Sequence, residues 1–142
     1  MFKRIYDVNV IINQGSMNNF KKKSSYNVVI SDKVSFILND LMIIDYDGNE
    51  TFIDDWFVSN EDLKRDYLRG CFLASGSVND PKTSRYHLEF LVDRIIDAKF
   101  ISSLLSVFYI NSKIIDRDKG YMVYVKEAEK IGDFLRVISA NK

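Results

Sequence analysis

The stretch that decides the fold is Tyr67-Leu68-Arg69-Gly70-Cys71-Phe72-Leu73-Ala74-Ser75-Gly76-Ser77-Val78-Asn79-Asp80-Pro81. It predicts a helix over about 60–75 that ends at a glycine and leads directly into a β-hairpin. Ser59 and Asp62 form a capping box at the start of this helix. Gly76 suits the left-handed residue that often ends a helix. The hairpin strands are predicted at 77–79 and 86–92, and the following 3.6-residue periodicity predicts a helix over 94–109.

Small residues recur on one face of the first of these helices. Gly70 and Ala74 lie four residues apart, so another backbone can approach that face closely. The spacing of Leu68, Gly70, Ala74 and Gly76 resembles the LAGLIDADG helix of homing endonucleases. The resemblance implies an α+β fold built from two αββαββα repeats related by a pseudo-two-fold axis. The residues predicted to form the helix interface are Leu68, Gly70, Cys71, Ala74 and Ser75.

The catalytic acid of the LAGLIDADG motif precedes its last glycine, and here that position is Ser75. Leu73 stands where the motif carries its other aspartate. DNA cleavage by such helices needs carboxylates on a divalent metal ion, and a serine hydroxyl does not supply that charge. Asp80 lies past the helix and is explained by an Asn-Asp-Pro turn. We therefore predict a protein that is not an enzyme, with no catalytic residue, metal site or cofactor.

The sequence contains one histidine and one cysteine. His87 is the single histidine, and strand alternation places it with Glu89 on a polar face. A contact of His87 with a base or phosphate is the alternative to a merely solvated position. Cys71 is the single cysteine, which excludes an intrachain disulfide and suits a reducing cytosol. No general base stands near it in the sequence, so a small core residue is predicted.

The hairpin pattern occurs twice along the chain. The segment 5–13 followed by 26–30 is similar to the segment 108–116 followed by 121–125, and a helical pattern follows each. Only the second copy has a preceding helix and hairpin, so the first repeat is expected to be truncated. The predicted organisation is the second half of the first repeat at 1–44, an acidic linker at 45–59 and the second repeat at 60–142.

The segment 45–62 contains seven acidic residues and no lysine or arginine. Its opening, Asp45-Tyr46-Asp47-Gly48-Asn49, suggests a calcium loop. Glu50 stands where that loop needs glycine, however, and Trp56 stands where it needs a bidentate glutamate. An acidic linker anchored by Ile53, Trp56 and Phe57 is the better interpretation.

Basic residues collect at the predicted hairpins, although the formal net charge is zero. A neutral chain is not a general polyanion binder, but a local basic face can still contact phosphates. The residues predicted to contact DNA are Lys21, Lys22, Lys23, Arg85, Lys113, Arg117, Lys119 and Lys126.

The run Ser75-Gly76-Ser77-Val78-Asn79-Asp80-Pro81, continued by Tyr86-His87-Leu88-Glu89-Phe90, resembles the WhiA family of bacterial regulators. The resemblance implies a cytoplasmic, nucleoid-associated DNA-binding protein linked to cell division or sporulation, without nuclease activity. In this family a degenerate LAGLIDADG-like domain precedes a helix-turn-helix, which we expect to be missing from these 142 residues. Two alternatives stay open, which are an assembly module without autonomous DNA binding and a homing endonuclease remnant. An unpaired helix face also predicts self-association or marginal stability, with the missing half-repeat as its natural partner.

Overall fold

The computed structural model describes residues 1–16, 24–51, 58–80, 82–83 and 85–139. The chain divides into a first unit, Met1–Asp54, and a second unit, Asp55–Lys142. None of the helices in the described part of the chain combines the length and apolarity that crossing a bilayer requires. The mixed helix and sheet content agrees with the predicted α+β class.

The first unit consists of α1 (Phe2–Tyr6), β1 (Ile11–Ser16), β2 (Ser24–Val29) and α2 (Val34–Asp40). The two strands form an antiparallel hairpin in which Ile11 pairs with Val29. Among the described residues its buried cluster is small, and it consists of Tyr6, Val8 and Ile37. The Tyr6 hydroxyl donates a hydrogen bond of 2.6 Å to Asp40 Oδ2, which ties the end of α1 to α2.

The second unit contains three helices and four strands. They are α3 (Glu61–Ser75), β3 (Gly76–Val78), β4 (Leu88–Val92), α4 (Ile95–Val107), β5 (Lys113–Arg117), β6 (Gly120–Val125) and α5 (Ala128–Ser139). The strands form one antiparallel sheet in the order β3-β4-β6-β5. The predicted β3–β4 hairpin is thereby confirmed. His87 was predicted to lie in a strand, but β4 begins one residue later, at Leu88.

The helices cover one face of this sheet with a continuous apolar core. Leu88 and Phe90 of β4 are buried, as are Val123 and Val125, their partners on β6. Phe90 meets Phe134 of α5 edge to face, with 5.6 Å between the ring centroids. Burying large side chains of this kind contributes about 1.5–3 kcal/mol each. This core therefore fixes which face of the sheet points away from the helices.

The predicted helix over about 60–75 is confirmed as Glu61–Ser75, but the capping at both of its ends differs from the prediction. Asn60, and not Ser59, is the N-cap, because its side-chain oxygen accepts a hydrogen bond of 2.8 Å from the backbone N–H of Leu63. Gly76 is extended, with φ −89° and ψ 152°, and is not left-handed. A Cβ at Gly76 would lie 2.8 Å from both Cα and the carbonyl oxygen of Phe72. Glycine is needed at this position because its backbone lies against Phe72 where the chain passes directly from α3 into β3.

The α-β-β-α order of the first unit recurs in the second unit as α4-β5-β6-α5. Asp7 and Tyr109 both adopt left-handed φ values, 51° and 59°, just after the first helix of each copy. The limits 1–44, 45–59 and 60–142 for repeats and linker stay a prediction.

The start of the acidic segment forms a tight turn. The Asp45 carboxylate accepts backbone hydrogen bonds from Asp47 and Asn49, both of 2.9 Å. The bond from the Asn49 backbone is the main cause that lowers the pKa of Asp45. The Asp45 carboxylate therefore stabilises the turn at the start of this segment. The proposed anchors Ile53, Trp56 and Phe57 lie outside the described residues.

Candidate nucleic-acid interface

The sheet of the second unit has an open face, which we define by strand register. Glu89 pairs with Tyr124, and Leu91 pairs with Met122, on the face opposite the buried Leu88 and Phe90. The same register extends across the other two strands. The side chains of the open face are Ser77, Glu89, Leu91, Lys113, Ile115, Arg117, Met122 and Tyr124.

Long basic side chains cover the aromatic and sulfur groups of this face. Lys126 follows β6, and its Nζ lies 5.0 Å from the centroid of the Tyr124 ring. Arg117 Nη2 donates to Met122 Sδ at 3.3 Å. Tyr124 is therefore only 9% exposed, and Met122 only 4%, although neither belongs to the core cluster beneath the helices. The charged ends of Lys113, Arg117 and Lys126 stand at the surface.

Ion pairing divides the arginines of the second unit into two groups. On the helices, arginines pair with acids one turn away, as in Arg69–Asp66 (3.0 Å) and Arg94–Asp97 (2.8 Å). At and beside the open face, no carboxylate of the described residues lies within ion-pair distance of the basic side chains. These side chains are Arg85, Lys113, Arg117, Lys119 and Lys126. Their charge is available to an external anion despite the zero net charge of the chain.

The candidate DNA contacts from the sequence fall into three locations. Lys113 and Arg117 point to the open face from β5, and Lys119 is exposed in the turn before β6. Arg85 and Lys126 line a common pocket with Tyr86 and His87 at one end of the sheet. The predicted contacts Lys21, Lys22 and Lys23 lie outside the described residues.

A polar cluster occupies the same end of the open face. Nε2 of His87 lies 3.1 Å from Oε2 of Glu89, and Ser77 Oγ donates to Glu89 Oε1 at 3.2 Å. The imidazole stacks on the Tyr124 ring, with 5.6 Å between centroids and 14° between planes. Sequence reasoning placed His87 and Glu89 together but missed Tyr124. Only the β4–β6 register reveals that neighbour.

The position of the LAGLIDADG acid has no charged group. Ser75 is the last residue of α3, and its hydroxyl donates to the carbonyl of Cys71 at 3.1 Å. Asp80 instead accepts a hydrogen bond of 2.8 Å from the backbone of Lys82, as a turn residue does. Within the described residues, no group of three or more His, Cys, Asp or Glu side chains is arranged to hold a metal ion.

The predicted helix interface is divided between two sides of α3. Leu68 is completely buried in the core of its own unit, so it does not contribute to an exposed face. Gly70 and Ala74 are exposed, and a Cβ at Gly70 would meet no described atom within 4 Å. Leu73, which the prediction omitted, lies beside them and is 79% exposed.

Cys71 and Ser75 are half-buried and lie between these two sides of α3. Burial raises the pKa of the Cys71 thiol to about 11, so the thiol is protonated at neutral pH. The structure thus agrees with a packing role for this cysteine and not with a nucleophile.

Comparison with known proteins identifies the class to which this fold belongs. The model of the WhiA LAGLIDADG-like domain matches residues 64–142, more than half of the chain. The chain therefore belongs to the WhiA LAGLIDADG-like family. It is 41% identical over 142 residues to the probable cell division protein WhiA of Lactobacillus gasseri. That match covers 99% of this chain and 45% of the relative, so the chain spans about half of the relative's length.

Solved structures show the same fold. The N-terminal LAGLIDADG domain of DUF199/WhiA matches with a TM-score of 0.68 at 24% identity, covering 99% of this chain and 63% of that one. The homing endonuclease I-DmoI in complex with DNA and Mn matches with a TM-score of 0.62 at 13% identity, covering 99% of this chain and 70% of the endonuclease. The predicted family and fold class are both confirmed.

Proposed function

We propose that this chain is a non-catalytic LAGLIDADG-like domain that binds DNA as part of a regulator of transcription linked to cell division or sporulation. The observation that carries the proposal is a group of cations without acidic partners on one sheet face. The helical arginines Arg65, Arg69 and Arg136 pair with neighbouring acids, whereas Lys113, Arg117 and Lys126 of this face do not pair with any described acid. Cations without acidic partners on an exposed sheet face are the groups that replace counterions on a phosphate backbone. The role in cell division follows the name of the relatives, and DNA binding implies a location at the nucleoid.

Absence of nuclease activity is the second part of the proposal. It rests on Ser75, whose hydroxyl is used by the helix backbone, and on Asp80, whose carboxylate is used by a turn. Plasmid nicking in the presence of Mg²⁺ or Mn²⁺ is the appropriate assay, and we expect no cleavage. Cleavage that Asp80→Asn abolishes would instead support the homing endonuclease alternative.

DNA binding is tested with the whole chain and a fluorescent duplex at low salt. Lys113→Glu/Arg117→Glu reverses two charges on β5, and both side chains are exposed, so we expect the variant to fold. Lys64→Glu/Lys99→Glu is the matched control, because it makes the same charge change on α3 and α4. We expect the first double variant to weaken binding much more than the control. Equal weakening would mean that only net charge matters, and that the open face is not the binding surface.

Assembly through α3 is the second candidate function. Leu73 is 79% exposed beside Gly70 and Ala74, which is an unusual place for a large apolar side chain on a small-residue face. On this hypothesis the face packs against another helix, and Gly70→Leu disrupts the packing. Light scattering tests it, and a monomeric chain unaffected by Gly70→Leu would exclude the assembly function.

A further inference from the structure

The pocket at the end of the open face contains cations and no lining carboxylate. Arg85, Tyr86, His87 and Lys126 line a cavity of about 430 Å³. Glu89 does not line the pocket, and its carboxylate contacts His87 and Ser77. An anion that enters this pocket therefore meets two permanent positive charges and one imidazole.

His87 and Lys126, the two groups beside Arg85, are both positioned by the ring of Tyr124. Tyr124 carries the His87 imidazole stacked on its ring and the Lys126 ammonium at 5.0 Å from the ring centroid. The Arg85 carbonyl accepts a hydrogen bond from the Asn79 side chain, which fixes the backbone beneath the guanidinium. Pre-positioned cations lose less conformational entropy on binding an anion than free surface side chains do.

The geometry points to a subsite for one phosphodiester group of nucleic acid, formed by Arg85, His87 and Lys126 and strengthened by protonation of His87. This inference rests on the proposed DNA-binding function, because the pocket adjoins the open sheet face. Nucleic acid is favoured over a small anion because the unpaired cations continue along β5 beyond the pocket, as a polymeric backbone requires. Those cations are Lys113 and Arg117.

The charges around His87 determine the direction of the pH effect. Glu89 of β4 faces the imidazole directly, Lys126 and Tyr124 face it from β6, and Arg85 lies in the preceding loop. When His87 is neutral, the Glu89 carboxylate remains an uncompensated negative charge near the phosphate. Protonation of His87 adds one positive charge and offsets it. The affinity for DNA is therefore higher when His87 is protonated than when it is neutral.

The affinity of the whole chain for a fluorescent DNA duplex, measured from pH 5.5 to 8.5 at fixed ionic strength, tests the pH effect. We expect His87→Gln to flatten the wild-type pH profile, because glutamine does not take up a proton. Lys126→Gln should lower the affinity by at least about threefold at every pH, since one phosphate is no longer neutralised. Lys99→Gln on α4 is the charge-matched control, and we expect it to bind like the wild type.

Nuclear magnetic resonance supplies an independent readout, because His87 is the only histidine and its imidazole signals need no assignment. We expect bound duplex to move the His87 signals toward those of the charged imidazole, because a nearby phosphate favours that form. Inorganic phosphate alone should produce the same change only at much higher concentration. A larger response to inorganic phosphate than to duplex would show a site for small anions and overturn the nucleic-acid assignment.

The subsite and the proposed function can be contradicted separately. If DNA binds but the His87 signals and the pH profile do not respond, the subsite is wrong and the proposed function stands. If the wild-type chain does not bind DNA at any pH at low salt, the proposed function and the subsite that depends on it are both wrong.

Discussion

At the scale of single residues, two glycines in one motif have opposite surroundings. Gly76 leaves no room for a Cβ against Phe72, whereas Gly70 leaves open space among the described atoms. We predict that Gly76→Ala lowers the free energy of unfolding by about 1–3 kcal/mol because the helix end must shift. Gly70→Ala should raise it by about 0.5–1 kcal/mol through helix propensity. Urea denaturation measures both, and a destabilising Gly70→Ala would show that another backbone contacts this position.

Cys71 allows a pH prediction with a definite sign. Its pKa is raised from 9.0 to about 11, chiefly by burial, so folding favours the protonated thiol. The resulting stabilisation is complete below pH 9 and is lost as the pH rises toward 11. Tyr67 contributes in the same direction at higher pH, because burial also raises its pKa. Cys71→Ala should therefore make stability less dependent on pH between 9 and 11, as measured by urea denaturation. An unchanged dependence would contradict the buried thiol.

At the scale of elements, the sequence predicted most helices and hairpins but not their mutual register. Gly76 marked the helix end correctly, although close packing and not a left-handed φ requires it. The capping pattern predicted Ser59 as the N-cap of α3. Serine and asparagine are both favoured as N-cap residues, so the sequence alone does not distinguish Ser59 from the neighbouring Asn60. Tyr124 was missed because its contact with His87 depends on the pairing of β4 with β6. Such pairing is set by long-range packing of the core, which no short motif specifies.

The exposed side of α3 carries its own prediction. Leu73 adds an apolar side chain next to Gly70 and Ala74. If the face binds another helix, Leu73→Ser should reduce self-association while leaving the urea midpoint of the monomer nearly unchanged, because the side chain is outside the core. Analytical ultracentrifugation at several concentrations measures the association. Concentration-independent sedimentation of the wild type would contradict the assembly hypothesis.

At the scale of the whole molecule, the two units differ in how much core they contain. Among the described residues, thirteen side chains form the buried cluster of the second unit and three form that of the first. We therefore expect amides of β1 and β2 to exchange with solvent faster than those of β4 and β6. Hydrogen exchange of the intact chain measures this difference. Equal protection of the β1–β2 pair and the β4–β6 pair would show that the two units unfold as one cooperative body.

The proposed function depends above all on DNA binding by cations that have no acidic partners on the open sheet face. Its sharpest test is the slope of the logarithm of DNA affinity against the logarithm of salt concentration for the wild type and for Lys113→Glu/Arg117→Glu. We predict a negative slope that becomes shallower by about 0.9 for each phosphate that the variant no longer neutralises. We also expect Lys64→Glu/Lys99→Glu to keep the wild-type slope. A wild-type slope near zero, or equal slopes for the open-face variant and the wild type, would contradict DNA binding by this face.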